Sequence, residues 1–196
     1  MTKEQIQQRT MVMNVETLNL DDDGDEESYI VEGYAAKYKP YLLYEYDGNK
    51  IYEEVRREAF NGVDLSDVIL QYDHAGKVYA RGSNGTLHLS LDDVGLKIRA
   101  DLSRSEGARE LYEEIKSGLV TKMSWRFSVE EDELDRKTMT RVIKKIKRVY
   151  DVSAVSTPAN DDTNINARNL YHTLAEQDIE DIQKRKRLKL KIKSML

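Results

Sequence analysis

The chain has 196 residues and no cysteine. Disulfide frameworks, thiolate nucleophiles and cysteine-ligated metal sites are therefore excluded. Proline is almost missing too. Pro40 and Pro158 are the only two, and each falls where a strand-like pattern stops. No apolar run is long enough to span a bilayer, and the opening MTKEQIQQRT lacks the apolar core of a signal peptide. An intracellular origin fits these absences. Aromatic residues other than tyrosine are scarce, with one Trp (Trp125) and two Phe (Phe60 and Phe127). Histidine is limited to His74, His88 and His172, so the candidates for a neutral-pH base are few.

What the chain does have is charge. Charged residues make up 34% and hydrophobic residues 39%, the balance of a very polar globular domain with tails. The net charge of -5 conceals an asymmetry. The stretch KRKRLKLKIK, residues 184–193, carries seven Lys and Arg and no acid, so the remainder is strongly acidic. An acidic body with a basic tail points either to an electrostatic partner or to a solvated helix end.

Alternation dominates the body. After a polar leader over residues 1–10, MVMNVETLNL reads as a first strand and YIVEGYAAKY as a second, joined through the acidic DDDGDEES. YLLYEYDGNKIYEEV reads as a hairpin turning at Asp47–Asn49 between tyrosine-rich flanks, whose rings suit half-buried strand positions. GTLHLSLDDVGLKIRADL is the clearest hairpin. In SEGARELYEEIKSG, Ser105 is placed to cap a helix, Ala108, Leu111, Tyr112 and Ile115 form its apolar stripe, and Gly118 ends it. TKMSWRFSVE then alternates, with Met123, Trp125, Phe127 and Val129 on one face and Ser124, Arg126 and Ser128 on the other. A charged excursion, EEDELDRKTM, precedes TRVIKKIKRVYDVSAVS, which reads as one long or two short strands. From Asn169 the apolar spacing turns helical. The prediction is a β-rich α+β domain over residues 11–168 and a helical basic tail over 169–196.

A hydrolytic site needs a nucleophile, a base within reach of it, and a group that orients the base. Ser124 lies on the polar face of a strand with a heavy apolar back. His74 ends the apolar strand of VILQYDHAGK, before a loop with Gly76 and Gly82, and so stands at a sheet edge. Asp151 is embedded in the apolar strand RVYDVSAV, where a carboxylate requires a partner. A Lys or Arg of the neighbouring KKIKR is its ordinary structural partner, and the residues alone favour that reading. His88 sits on the polar face of its hairpin, and His172 lies in the tail; both read as surface residues.

Several blocks, in order, resemble the prohead (capsid maturation) serine proteases of tailed bacteriophages, the HK97-type family. They are YIVEGYAAKY, YEEVRREAFNGVDLSDVILQYDHAGK, GTLHLSLDDVGLKIRADL, ELYEEIKSGLVTKMSWRFSV and YDVSAVSTPANDDTNINAR. The resemblance implies His74 as the catalytic histidine and Ser124 as the nucleophile. Asp151 stands where the family usually carries Glu, with His88 as the rival third member. It implies a fold similar to the herpesvirus assembly proteases, a β-barrel-like core with surrounding helices. Backbone groups of the loop at Thr157, Ala159 and Asn160 become candidates for the oxyanion site, with Arg126 or Arg168 adding charge. Three departures stand out: Trp125 and Arg126 after the serine, Asp73 before His74 without the usual Asn, and Glu58 in place of a glycine before Ala59-Phe60.

The function so implied is a serine endopeptidase, needing no metal or cofactor. It would act inside the immature phage capsid in the host cytoplasm, on the scaffold segment of the major capsid protein. It would trim its own tail, and homo-oligomers are left open. The alternative is a catalytically impaired scaffolding or capsid-interaction protein that keeps the fold. A nucleic-acid binder using the tail is disfavoured, because the body is acidic and the tail lacks interleaved aromatics.

Overall fold

The computed structural model describes residues 6–11, 16–18, 29–46 and 48–156. Eleven strands and one α-helix lie within them: β1 (Ile6–Met11), β2 (Glu16–Leu18), β3 (Ile30–Lys37), β4 (Tyr41–Tyr46), β5 (Asn49–Val55), β6 (Ile69–Tyr72), β7 (Ala75–Arg81), β8 (Leu87–Leu91), β9 (Gly95–Asp101), α1 (Glu106–Lys116), β10 (Lys122–Asp135) and β11 (Thr140–Val155). The β-rich α+β class is as read from the sequence.

Two sheets share these strands. The larger runs β1-β10-β11-β5-β4, with the β6–β7 hairpin hung on the far end of β11; the smaller runs β2-β3-β9-β8. Both are open. Among the described residues no ring of strand pairing closes, and α1 is the single α-helix, so the barrel with surrounding helices is not what this part of the chain forms. β11 divides one edge between two partners: its first residues pair in parallel with β5 and its last with β6.

Three local expectations need correction. Residues 6–10, read as leader, belong to β1, because Gln7 and Arg9 alternate inward and find buried polar partners. The charged EEDELDRKTM is no excursion. It carries β10 onward and turns into β11, its charges standing on exposed or half-buried strand positions. No loop follows His74 at once: β7 begins at Ala75 and takes in Gly76, while Gly82 opens the short 3-10 turn after it. The hairpins β4–β5 and β8–β9 and the helix stand as read. Of the first strand read over residues 11–20, Glu16–Leu18 pairs with β3 as expected, while Met11 belongs to β1. The Ser105 side chain accepts from the Ala108 N–H at 3.2 Å and caps α1, a contact worth about 1 kcal/mol. The acidic DDDGDEES stretch, His172 and the tail lie outside the described residues.

One core cluster draws on both sheets and α1. Val31, Leu96 and Ile98 come from the smaller sheet, Trp125, Phe127 and Val152 from the larger, and Leu111 and Tyr112 from the helix. Trp125 is fully buried, stacked on Phe127 (centroids 3.8 Å apart) and on Phe60 (5.8 Å). The period of two in β10 therefore does what it predicts: with Trp125 and Phe127 committed to the core, Ser124 and Arg126 must face the other way.

Candidate active site

Three strands of the larger sheet meet at the polar face behind Trp125. β10 contributes Ser124, β11 contributes Asp151 and Ser153, and the β6–β7 turn contributes His74. The antiparallel register sets Ser124 opposite Ser153 and Arg126 opposite Asp151. The parallel pairing of β6 with the end of β11 brings the β6–β7 turn alongside.

That turn is two residues long, Asp73 and His74, between paired Tyr72 and Ala75. Both have positive φ, 47° and 58°. Such a tight hairpin turn matches the twist of its strands but normally recruits Asn or Gly. Holding non-glycine residues there costs on the order of 1 kcal/mol or more each. Asp73 is tied down in compensation. Its N–H donates to the Ala154 carbonyl at 3.0 Å, and its carboxylate accepts from the Ser156 N–H and hydroxyl at 3.2 and 3.1 Å. Asp73 thus pins the histidine turn to the end of β11.

His74 is buried and bonded through both ring nitrogens. Nε2 lies 2.6 Å from Ser124 Oγ and Nδ1 lies 2.5 Å from Asp151 Oδ1. With its proton on Nδ1, the ring donates to the carboxylate and accepts from the hydroxyl. Residues 50 and 77 positions apart in the chain are joined in one line of hydrogen bonds.

Asp151 is completely buried and fully engaged. Oδ1 also accepts from Ser153 Oγ at 2.9 Å, and Oδ2 accepts from Arg126 Nε at 2.5 Å. Burial pushes this carboxyl up. The hydrogen bond and charge of His74, followed by those of Arg126, outweigh it and hold Asp151 below its ordinary value. The partner of Asp151 is therefore Arg126 across the ladder, rather than a residue of KKIKR. Sequence reasoning had offered Arg126 to an oxyanion and had passed over Ser153. The i, i+2 spacing of Asp151 and Ser153 on one strand face was the available signal.

His88 is exposed on β8 in the smaller sheet, opposite Arg99, and makes no contact with His74. Thr157, Ala159, Asn160 and Arg168 lie outside the described residues.

Ser124 Oγ has a second acceptor. Strand β1 pairs antiparallel with β10, setting Thr10 opposite Ser124, and Oγ lies 2.9 Å from the Arg9 carbonyl oxygen. The single hydroxyl proton can go to His74 or to Arg9, one at a time. Ser124 has no exposed surface in this arrangement. The Arg9 side chain turns to the other face, where Nε and Nη2 bind the Glu53 carboxylate at 2.6 and 2.9 Å. Among the described residues no cluster of His, Asp and Glu is set to hold a metal ion. Nor is any described helix long and apolar enough to cross a membrane.

Comparison with known proteins adds one match. The family model described as caudovirus prohead serine protease matches residues 14–178, a stretch that holds His74, Ser124 and Asp151 and leaves β1 ahead of it. No curated protein and no solved structure matches the chain.

Proposed function

The chain belongs to the caudovirus prohead serine protease family, and from that premise we propose that it is an endopeptidase whose working residues are Ser124, His74 and Asp151. The observation that carries this reading is the unbroken contact from Ser124 Oγ through the His74 ring to Asp151. A serine hydroxyl is a weak nucleophile until a base takes its proton, and imidazole is suited to that task at neutral pH.

As Oγ bonds to the scissile carbonyl carbon, its proton passes to His74 Nε2. The imidazolium so formed rests against the Asp151 carboxylate, which stays ionised. The C–N bond then breaks, and the Nε2 proton leaves with the amine. Water repeats the sequence on the acyl-enzyme and restores Ser124. Arg126 and Ser153 keep the carboxylate in place throughout.

The substrates in this reading are the scaffold segments of capsid proteins, cleaved inside the immature capsid in the host cytoplasm. The protease domain extends from β1 to residue 168, on a core related to the herpesvirus assembly proteases. Backbone N–H groups around Thr157, Ala159 and Asn160 supply the oxyanion site, with Arg168 adding charge. The basic tail, residues 169–196, docks on acidic scaffold and is removed by self-cleavage. Intact mass after incubation, compared between the parent and Ser124→Ala, tests the last point: a loss confined to the parent is expected, and identical masses would exclude it.

The activity itself is tested with a fluorophosphonate probe and with capsid protein as substrate. Ser124 takes up the probe, and Ser124→Ala loses about 10⁶-fold in turnover while remaining folded. A folded Ser124→Ala protein that still processes capsid subunits defeats the assignment. The second reading, an impaired protein that keeps the fold as a scaffold, draws on the complete burial of Ser124. An inert Ser124 in assembled capsids would favour it.

A further inference from the structure

Strand β1 lies where a substrate would have to lie. For Ser124 Oγ to reach a scissile carbonyl, that carbonyl must approach the space where the Arg9 carbonyl now sits at 2.9 Å. β1 is extended, runs antiparallel to the nucleophile strand and pairs with it over six residues, Ile6 opposite Ser128 through Met11 opposite Met123. Among the described strands it pairs with no other, so it can leave β10 without breaking a second described ladder. Building on the peptidase reading above, we propose that the edge of β10 beside Ser124 is the track for the scissile peptide. The peptide lies there as an extended antiparallel strand with an arginine in the position of Arg9, and β1 is the track's built-in occupant.

The arginine preference follows from what receives Arg9. The side chain is 2% exposed, its guanidinium is 5.8 Å from the centre of the Phe127 ring, and Glu53 binds it through two nitrogens. Glu53 does not depend on Arg9 alone. Arg141 Nη1 donates to the same carboxylate at 2.9 Å, and the Tyr41 hydroxyl donates to it as well. When β1 departs, a paired carboxylate therefore remains, ready for another guanidinium, whose planar fork suits two-point binding. Backbone pairing along the strand supplies affinity that is indifferent to sequence, and the Glu53 pocket supplies the discrimination. Tethered β1 competes at high effective concentration, so an incoming peptide binds in proportion to the fraction of molecules whose β1 is off.

The test uses the full chain carrying Ser124→Ala, so that no readout depends on catalysis, and a fluorescein-labelled peptide of residues 5–12 followed by anisotropy. Adding Arg9→Ala weakens the tether strand and tightens peptide binding at least tenfold. Adding Ile6→Cys with Ser128→Cys, in a chain with no other cysteine, locks β1 to β10. The oxidised protein does not bind, and reduction restores binding. A peptide with alanine in place of its arginine binds at least tenfold more weakly. Binding no tighter in the Arg9→Ala protein, or equal binding by the oxidised and reduced lock, overturns the proposal, since β1 would then be a permanent edge. Equal binding of the two peptides removes the arginine preference. Failure of the peptidase reading shows separately, as an Arg9→Ala protein with Ser124 intact that takes up no fluorophosphonate.

Discussion

Arg126 and Asp151 face each other across the β10–β11 ladder, with Nε 2.5 Å from Oδ2. The guanidinium is about one-third exposed and the carboxylate is not exposed at all. A surface cation thus reaches inward to neutralise the buried acid that orients His74.

Replacing Arg126 by Met removes one of the two influences that hold Asp151 below its ordinary value, and burial then pushes the carboxyl up. The acid limb of kcat/KM that reports Asp151 ionisation moves to higher pH. At neutral pH the loss is about 10- to 100-fold, the worth of one charge-assisted hydrogen bond. Arg126→Lys recovers part of both effects. A pH profile identical to that of the parent would show that Arg126 only decorates the surface.

Asp73 bears on the geometry of catalysis through the turn it anchors. Asp73→Ala releases Ser156 and leaves an alanine at positive φ, so the His74 ring loses its fixed approach to Ser124. A displacement of about 1 Å costs on the order of 10²-fold in rate. The expected result is a fall in kcat with KM little changed, measured beside the urea midpoint to separate it from unfolding.

Glu53 lies at the centre of a buried polar cluster with Arg9, Tyr41 and Arg141. Burial raises its carboxyl, but the Arg9 charge and hydrogen bonds and the Arg141 charge prevail and hold it below its ordinary value. A lowered folded-state value means that the associated stability is complete above about pH 4.5 and is lost as pH falls through the folded value. Glu53→Gln leaves buried cations less well paired and costs about 3–5 kcal/mol near neutrality. Urea titrations of parent and Glu53→Gln converge in acid. A gap independent of pH would contradict this account.

Trp125 backs Ser124 from the core side, between Phe127 and Phe60. Trp125→Ala opens a cavity there and costs about 3–5 kcal/mol. Denaturant unfolding reads the loss directly. Stability within 1 kcal/mol of the parent would mean that the stack contributes little.

Much of this was legible along the chain. Alternation in TKMSWRFSVE assigns Ser124 and Trp125 to opposite faces before any contact is known, because a strand has a period of two. The capping serine and apolar stripe of α1 are equally local. The N-terminal strand was misread because its inward residues, Gln7 and Arg9, are polar. A hydrophobic pattern cannot reveal a strand whose buried side is satisfied by an ion pair with Glu53, 44 residues on. The charged end of β10 was missed for a similar reason, since its outward charges find partners such as Lys145, Lys144 and Arg141 only once β11 returns beside it.

The sequence by itself determined which side chains are chemically suited to the proposed reaction and which way Ser124 and Asp151 point from their strands, since those depend on residue type and on a period of two. Only the tertiary structure decided their company. Parallel pairing of β6 with β11 carried His74 to Ser124, cross-strand register gave Asp151 its arginine, and an edge strand took the place beside Ser124. Those outcomes depend on register between segments distant in the chain, which is set by the joint packing of both sheets and is written in no single stretch of residues.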